Sequence, residues 1–91
     1  MDRKSAWENT RALGYMNKGI RNEVPDAPIN RRPDIMAVRR DGTIDQFEVK
    51  SKTDKENLLE QRMRGNQVMM GDRAGTIEVV LIGGPKPWLK Q

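Results

Sequence analysis

Three residues of this chain have the types and the spacing to do chemistry together: Asp34, Glu48 and Lys50. They lie in two stretches, Arg32-Pro33-Asp34-Ile35-Met36-Ala37-Val38 and Phe47-Glu48-Val49-Lys50-Ser51, with an Asp41-Gly42 turn signal between them. That arrangement reads as a β-hairpin. Residues i and i+2 of a strand point to one face, so Glu48 and Lys50 share a face and Val49 points away. Two carboxylates and an ammonium on one sheet face suit the Mg²⁺-dependent hydrolysis of a phosphodiester.

Whether Asp34 joins that face depends on the hairpin register. A two-residue loop, Asp41-Gly42, opposes Asp34 to Val49 and sends it to the wrong face. A three-residue loop, Arg40-Asp41-Gly42, with Gly42 in a left-handed bulge position, opposes Asp34 to Glu48. Directly opposed residues have Cβ atoms roughly 5 Å apart, close enough for one cation to bridge both carboxylates. A slip of one residue destroys the site. The functional reading therefore commits the chain to the bulged turn.

The elements around the hairpin have to fit a chain of 91 residues, the size of one small domain with a modest core. Ser5 to Lys18 reads as a first helix, with Ser5 and Glu8 as a capping box and Ala6, Leu13, Met16 and Ile20 at helical spacing. Gly14 weakens that helix and Gly19 ends it. Arg21 to Arg32, with Pro25, Pro28 and Asn30, reads as a loop with room for a short extended piece at Arg21 to Val24. The hairpin strands are Asp34 to Arg39 and Thr43 to Lys52, with Ile35, Ala37, Phe47 and Val49 as a core face. Thr53 and Glu56 form a second capping signature, opening a helix to about Met70 with Leu59, Met63 and Met70 on one stripe. Gly65 inside it costs about 1 kcal/mol relative to Ala, and Gly71 closes it. Thr76 to Ile82 is a β-branched, nearly continuous apolar run, the pattern of a buried central strand. The crossover from the hairpin is long enough to make it a parallel neighbour. The expected fold is α/β: a small mixed β-sheet flanked by helices, in the order helix, hairpin, helix, strand.

Composition narrows the chemistry further. The chain has no cysteine and no histidine, which removes disulfides, thiolate and imidazole metal sites, and His-based catalysis. Any hydrolysis must use carboxylates, lysine and a hard metal. Seventeen Lys and Arg against thirteen Asp and Glu give a net charge of +4, a balance that favours a polyanionic partner. No apolar run approaches a membrane span. No signal-peptide pattern follows Met1, so the expected protein is cytosolic or a fragment of something larger.

The order of elements, with Pro33-Asp34 on one hairpin strand and Glu48-Val49-Lys50 on the next, resembles the PD-(D/E)XK superfamily of nucleases, the restriction-endonuclease-like fold. The resemblance covers roughly residues 5 to 82. It implies that Asp34 and Glu48 bind Mg²⁺ or Mn²⁺, and that Lys50 positions or activates the attacking water or stabilises charge. It also implies an acid on the first helix, Glu8 with Glu23 as its rival, and a polar support on the second helix, Gln61 ahead of Gln67. The Ile35 or Val49 carbonyl is a further oxygen donor on this reading. The compact size looks most like the virus-type replication-repair nuclease branch or the nuclease tips of bacterial polymorphic toxins. A toxin tip would act in the cytoplasm after release from a secreted protein and would have a cognate immunity protein. The implied substrate is nucleic acid, with DNA ahead of RNA, and a homodimer is compatible.

Each of these residues also has an ordinary role open to it. Asp34 can simply start a strand, Glu48 and Lys50 can be a solvent-facing pair, and Glu8 can be a cap. The three together in one register are what point to a metal site. Arg31, Arg32, Arg39, Arg40, Arg62 and Arg64 stand where they can track a phosphate backbone, though each alone suits a surface. Met63, Met69 and Met70 read as core filler. Trp7 reads as packing, and Trp88 as packing ahead of base stacking. Two rivals come from other classes: a non-catalytic nucleic-acid-binding module, and a small partner-binding regulatory protein. Divalent-metal dependence separates the nuclease from both.

Overall fold

In the computed structural model, residues 11–83 are described. They form strand β1 (Arg11–Met16), strand β2 (Ile35–Arg39), strand β3 (Ile44–Lys50), helix α1 (Glu56–Met70) and strand β4 (Ala74–Leu81), with short 3₁₀ turns at Ile20–Asn22 and Gly71–Arg73. The sheet order is β1-β2-β3-β4. The first two pairings are antiparallel and the third is parallel.

The hairpin register is the one the acid pair requires. Ile35 faces Phe47, Met36 faces Gln46, Ala37 faces Asp45 and Val38 faces Ile44. Continued by one residue, this sets Asp34 against Glu48. The turn is built as expected. The Gly42 N–H donates to the Arg39 carbonyl at 2.9 Å, the Arg39 N–H donates to the Thr43 carbonyl at 2.8 Å, and Gly42 has φ +93°. Asp41 accepts from the Thr43 N–H at 2.9 Å and fixes the turn further.

The expected helix from Ser5 to Lys18 is not a helix where it is described. Arg11–Met16 is a strand paired with β2, and Ser5 to Thr10 lie outside the description, as do Trp7, Glu8 and Trp88. Gly14 is a poor helix former, and β2 offers this segment a ladder of backbone partners, so long-range pairing overrides the helical spacing. Asn17, at φ +54°, ends the strand. Its N–H donates to the Asp34 carbonyl at 2.9 Å. The loop that follows contains the Ile20–Asn22 turn in place of an extended piece, and it drives Ile20 fully into the core.

Helix α1 starts at Glu56, later than the Thr53 signature predicts. Asp54 instead binds the Ser51 N–H and hydroxyl, each at 2.9 Å, and Lys55 is an N-cap with no side-chain bond. Gly65 does not break the helix, and Gly71, at φ +59°, terminates it. Leu59, Met63, Asn66 and Met70 form its buried face.

Strand β4 is a parallel neighbour of β3 as expected, but it ends the sheet order and only Val80 on it is buried. A strand with one sheet neighbour keeps part of its surface in water, which the apolar run alone does not reveal.

The core has two parts. Met36, Val38 and Ile44 pack with Ile20, Ala27 and Met70 on the face covered by α1. Ile35, Ala37, Phe47 and Val80 form the second cluster on the opposite face. The fold is thus a small α/β unit with a four-stranded mixed sheet and one α-helix among the described residues.

Candidate functional site

Strand alternation carries Ile44, Gln46, Glu48 and Lys50 along the face that α1 covers. Gln46 fixes the helix there. Its Nε2 donates to the Met63 carbonyl at 3.0 Å, and its Oε1 accepts from Asn66 Nδ2 at 2.8 Å. Both side chains are fully buried, so this polar bridge is costly to break. It sets the distance between helix and strand just where Glu48, the next residue on that face, begins the site.

Glu48 is only 3% exposed. Burial first, and then the charge of neighbouring Asp34, push its carboxyl up to about 7, while Arg62 pulls the other way. The Arg62 guanidinium stands 3.9 Å from Glu48 Oε1, and Oε2 is buried with no hydrogen-bond partner among the described residues. Asp34 follows the buried Pro33, and its Oδ2 accepts the Val49 N–H at 2.7 Å. The hairpin thus sets two carboxylates side by side, and the Asp34 backbone N–H and Arg62 only partly offset the burial of Glu48. Two adjacent carboxylates disfavour each other's charge. The orphaned oxygen and the all-oxygen donor set fit Mg²⁺ or Mn²⁺. Among the described residues, no group of three or more metal-ligating side chains converges.

The remaining predicted residues sort by their contacts. Lys50 lies on the same strand face, half-buried, and its ammonium donates to the Ser51 carbonyl at 3.3 Å. Gln61 lines an open cleft of about 620 Å³ with Arg31, Arg32, Leu58 and Arg62. Arg31 reaches across α1 at Gly65, where an added Cβ would stand 3.1 Å from its Nη1. Arg64 is exposed on α1 and Arg40 is exposed in the turn. Glu8 lies outside the described residues.

Three candidates are occupied by structural work. Glu23 accepts from the Tyr15 hydroxyl at 2.7 Å and pairs with Arg73, which also binds the Gly42 carbonyl. Burial pushes the Glu23 carboxyl up, but those two donors outweigh it and hold it low. Gln67 donates to the Gly75 carbonyl at 2.7 Å. Arg39 pairs with fully buried Asp45, at 3.1 Å from Nε and 2.9 Å from Nη2.

Sequence reasoning passed over Asp45 and Asn66. Asp45 also accepts from the Thr76 N–H and hydroxyl where β4 shifts register against β3. Alternation placed Asp45 opposite Ala37 on the core face, the signal that a buried pair was needed there. Asn66 carried a signal of its own, since it falls on the Leu59, Met63 and Met70 stripe. No helix among the described residues is long and apolar enough to cross a membrane. No family model, curated protein or solved structure matches the chain.

Proposed function

We propose that the chain is a metal-dependent nuclease of the PD-(D/E)XK type, hydrolysing phosphodiester bonds. One observation carries the reading: Glu48, buried beside Asp34, has an orphaned oxygen and a carboxyl pushed up to about 7. Burying Glu48 beside a second carboxylate is costly to the fold, and a divalent cation would relieve that cost.

Asp34 and Glu48 would hold Mg²⁺ or Mn²⁺, joined by Glu8 if the segment before β1 reaches the site. The cation would supply charge neutralisation at the phosphate and a lowered pKa for bound water. The chain's own residues do the rest. Lys50, on the same face, offers a cation to the charge developing on the phosphate. Arg31, Arg32 and Arg62 line the adjoining cleft and hold the backbone phosphates. Gln61 offers an amide to orient the substrate in the same cleft. The Asp34–Val49 hydrogen bond keeps one carboxylate aimed while the substrate binds.

The test is incubation of the purified protein with plasmid DNA and with total RNA in Mg²⁺, Mn²⁺ or EDTA. Cleavage that needs the metal and falls by ~10²-fold or more in Glu48→Gln supports the reading. If Mn²⁺-loaded protein leaves both substrates uncut, or cuts equally in EDTA, the nuclease reading is wrong and a binding module replaces it.

A further inference from the structure

Beside the arginine cleft lies a second, smaller depression of about 270 Å³, lined by Asn17, Lys18, Gly19, Asn22, Asn30 and Arg32. Arg32 lines both depressions. Asn17 joins the small one to the acid pair, because its N–H donates to the carbonyl of Asp34 at 2.9 Å. A continuous path therefore runs from Glu48 and Asp34, past Arg62 and Arg32, to a polar pocket.

The pocket is braced before any ligand arrives. The Ile20 N–H binds the Arg31 carbonyl at 2.8 Å, and the Arg21 N–H binds Asn30 Oδ1 at 3.0 Å. Gly19 lets the two segments close, since a Cβ there would stand 2.1 Å from Asn30 Oδ1. The amides keep capacity to spare. Asn30 retains its Nδ2 donor, and Asn22, whose Nδ2 is held by the Gly19 carbonyl at 2.9 Å, retains its Oδ1 acceptor. Among the described residues the lining holds two cations and no acid. A pocket this size falls below the roughly 300 Å³ at which sites for drug-sized ligands begin, so it suits one small unit.

We propose that this pocket holds a single unpaired nucleotide of the polynucleotide substrate, its phosphate on Lys18 and Arg32 and its base on the spare amide groups of Asn22 and Asn30. Donor and acceptor amides match the hydrogen-bonding edges of a base, and cations match its phosphate. A base inside a duplex is stacked and paired, and it can enter only after being unpaired and extruded. The site therefore selects single strands, or duplexes with a displaced end, over blunt duplex. This inference rests on the nuclease reading for the class of ligand, but its test needs no cleavage.

Labelled single-stranded DNA and RNA oligonucleotides and a blunt duplex of the same sequence are titrated with the protein in EDTA and followed by fluorescence anisotropy. Single strands are expected to bind about 10-fold or more tightly than duplex, a difference of ~1.4 kcal/mol. Lys18→Gln should weaken single-strand binding and flatten its salt dependence, with the log–log slope falling by about 0.7. Asn22→Ala removes one of the two amides assigned to the base at an exposed position of the lining, so it should lower single-strand affinity without unfolding the loop. Equal affinity for single strand and duplex, or unchanged affinity in both variants, overturns the site. Metal-dependent cleavage alongside unchanged variant binding sinks the pocket and leaves the nuclease reading intact. Impaired variant binding in a protein that never cleaves does the opposite.

Discussion

Raising the pH from about 5 to about 8 in EDTA should weaken this fold through one residue, Glu48. Burial and the adjacent Asp34 raise its pKa from the ordinary 4.5 to about 7. In the unfolded chain both influences vanish, and the group titrates near ~4.3. Between those values the folded protein keeps a proton that the unfolded chain has released. The folded state then binds more protons, so stability falls as pH rises. The penalty is absent below about pH 4 and complete above about pH 7. A tenfold change in proton affinity is worth ~1.4 kcal/mol, so the full penalty is on the order of 3 kcal/mol. That is a large fraction of the roughly 5–15 kcal/mol that stabilises a typical domain. Glu48→Gln keeps the shape and carries no charge at any pH. Urea midpoints for both proteins, taken across this range at constant m, should start close together and diverge as pH rises, with the variant the more stable at pH 8. Asp45 and Glu23, whose carboxyls are held low, pull in the opposite sense. Their stabilisation is present above the ordinary carboxylate range and is lost as pH falls below it, but both proteins share it and it cancels in the difference. Adding Mn²⁺ at pH 8 should raise the wild-type midpoint and move the variant much less. Parallel pH profiles for the two proteins would refute the claim that Glu48 is buried beside a second acid in the hairpin.

The other perturbations are simpler. Gly42→Val forces a β-branched residue to φ +93° and should cost at least ~1–2 kcal/mol in urea unfolding; a wild-type midpoint would contradict the bulged turn. Arg39→Ala strips a buried acid of its ion pair, but Thr76 still holds Asp45 and Arg39 is one-third exposed. Its cost should therefore fall short of the ~3–5 kcal/mol of a fully buried pair, with a midpoint that recovers as acid protonates Asp45. Gly65→Ala places a Cβ 3.1 Å from the mobile end of Arg31. Since that end can move, the helix should gain up to about 1 kcal/mol, while nucleic-acid affinity falls because Arg31 leaves the cleft. A variant with lower stability and full affinity would reverse both expectations.

The hairpin was legible because one face rule and one turn rule decide it. Acid positions fix which register is useful, and an Arg-Asp-Gly turn with glycine at the left-handed position supplies that register. The buried face of α1 was legible for the same kind of reason, since Leu59, Met63 and Met70 recur at helical spacing. The segment before the loop was not legible. Met16 and Ile20 fall at helical spacing, yet Met16 ends a strand and Ile20 sits in a 3₁₀ turn. Their environment is set by β2 and by the loop closing over the sheet, which local sequence does not contain. Thr53 does not cap the helix because its hydroxyl meets the Ser51 hydroxyl at 3.3 Å and Asp54 also binds Ser51, so the helix begins only at Glu56. At the site, proximity of Asp34 to Glu48 followed from register, but burial of Glu48 did not, because it depends on where α1 lies. The roles of Glu23, Gln67 and Arg39 turned on partners distant in sequence or across the hairpin, and no spacing rule anticipates those.

The placement of the acid pair ties chemistry to packing in a specific way. Gln46 and Glu48 are successive residues on one strand face, and the first is locked to α1 by two buried hydrogen bonds. The helix that locks Gln46 also carries Gln61 and Arg62, so one rigid contact sets the acid pair against the cleft that would bring it a phosphate. Glu48 follows Gln46 on that face, beside Asp34, so the strand carries an acid where burial and a second carboxylate disfavour its charge. A site with no purpose for the pair would be more stable with Gln at position 48, since an amide can donate to Asp34 where a carboxylate cannot. An acid there, buried and with one oxygen lacking a partner among the described residues, is the physical argument behind the proposal of a cation.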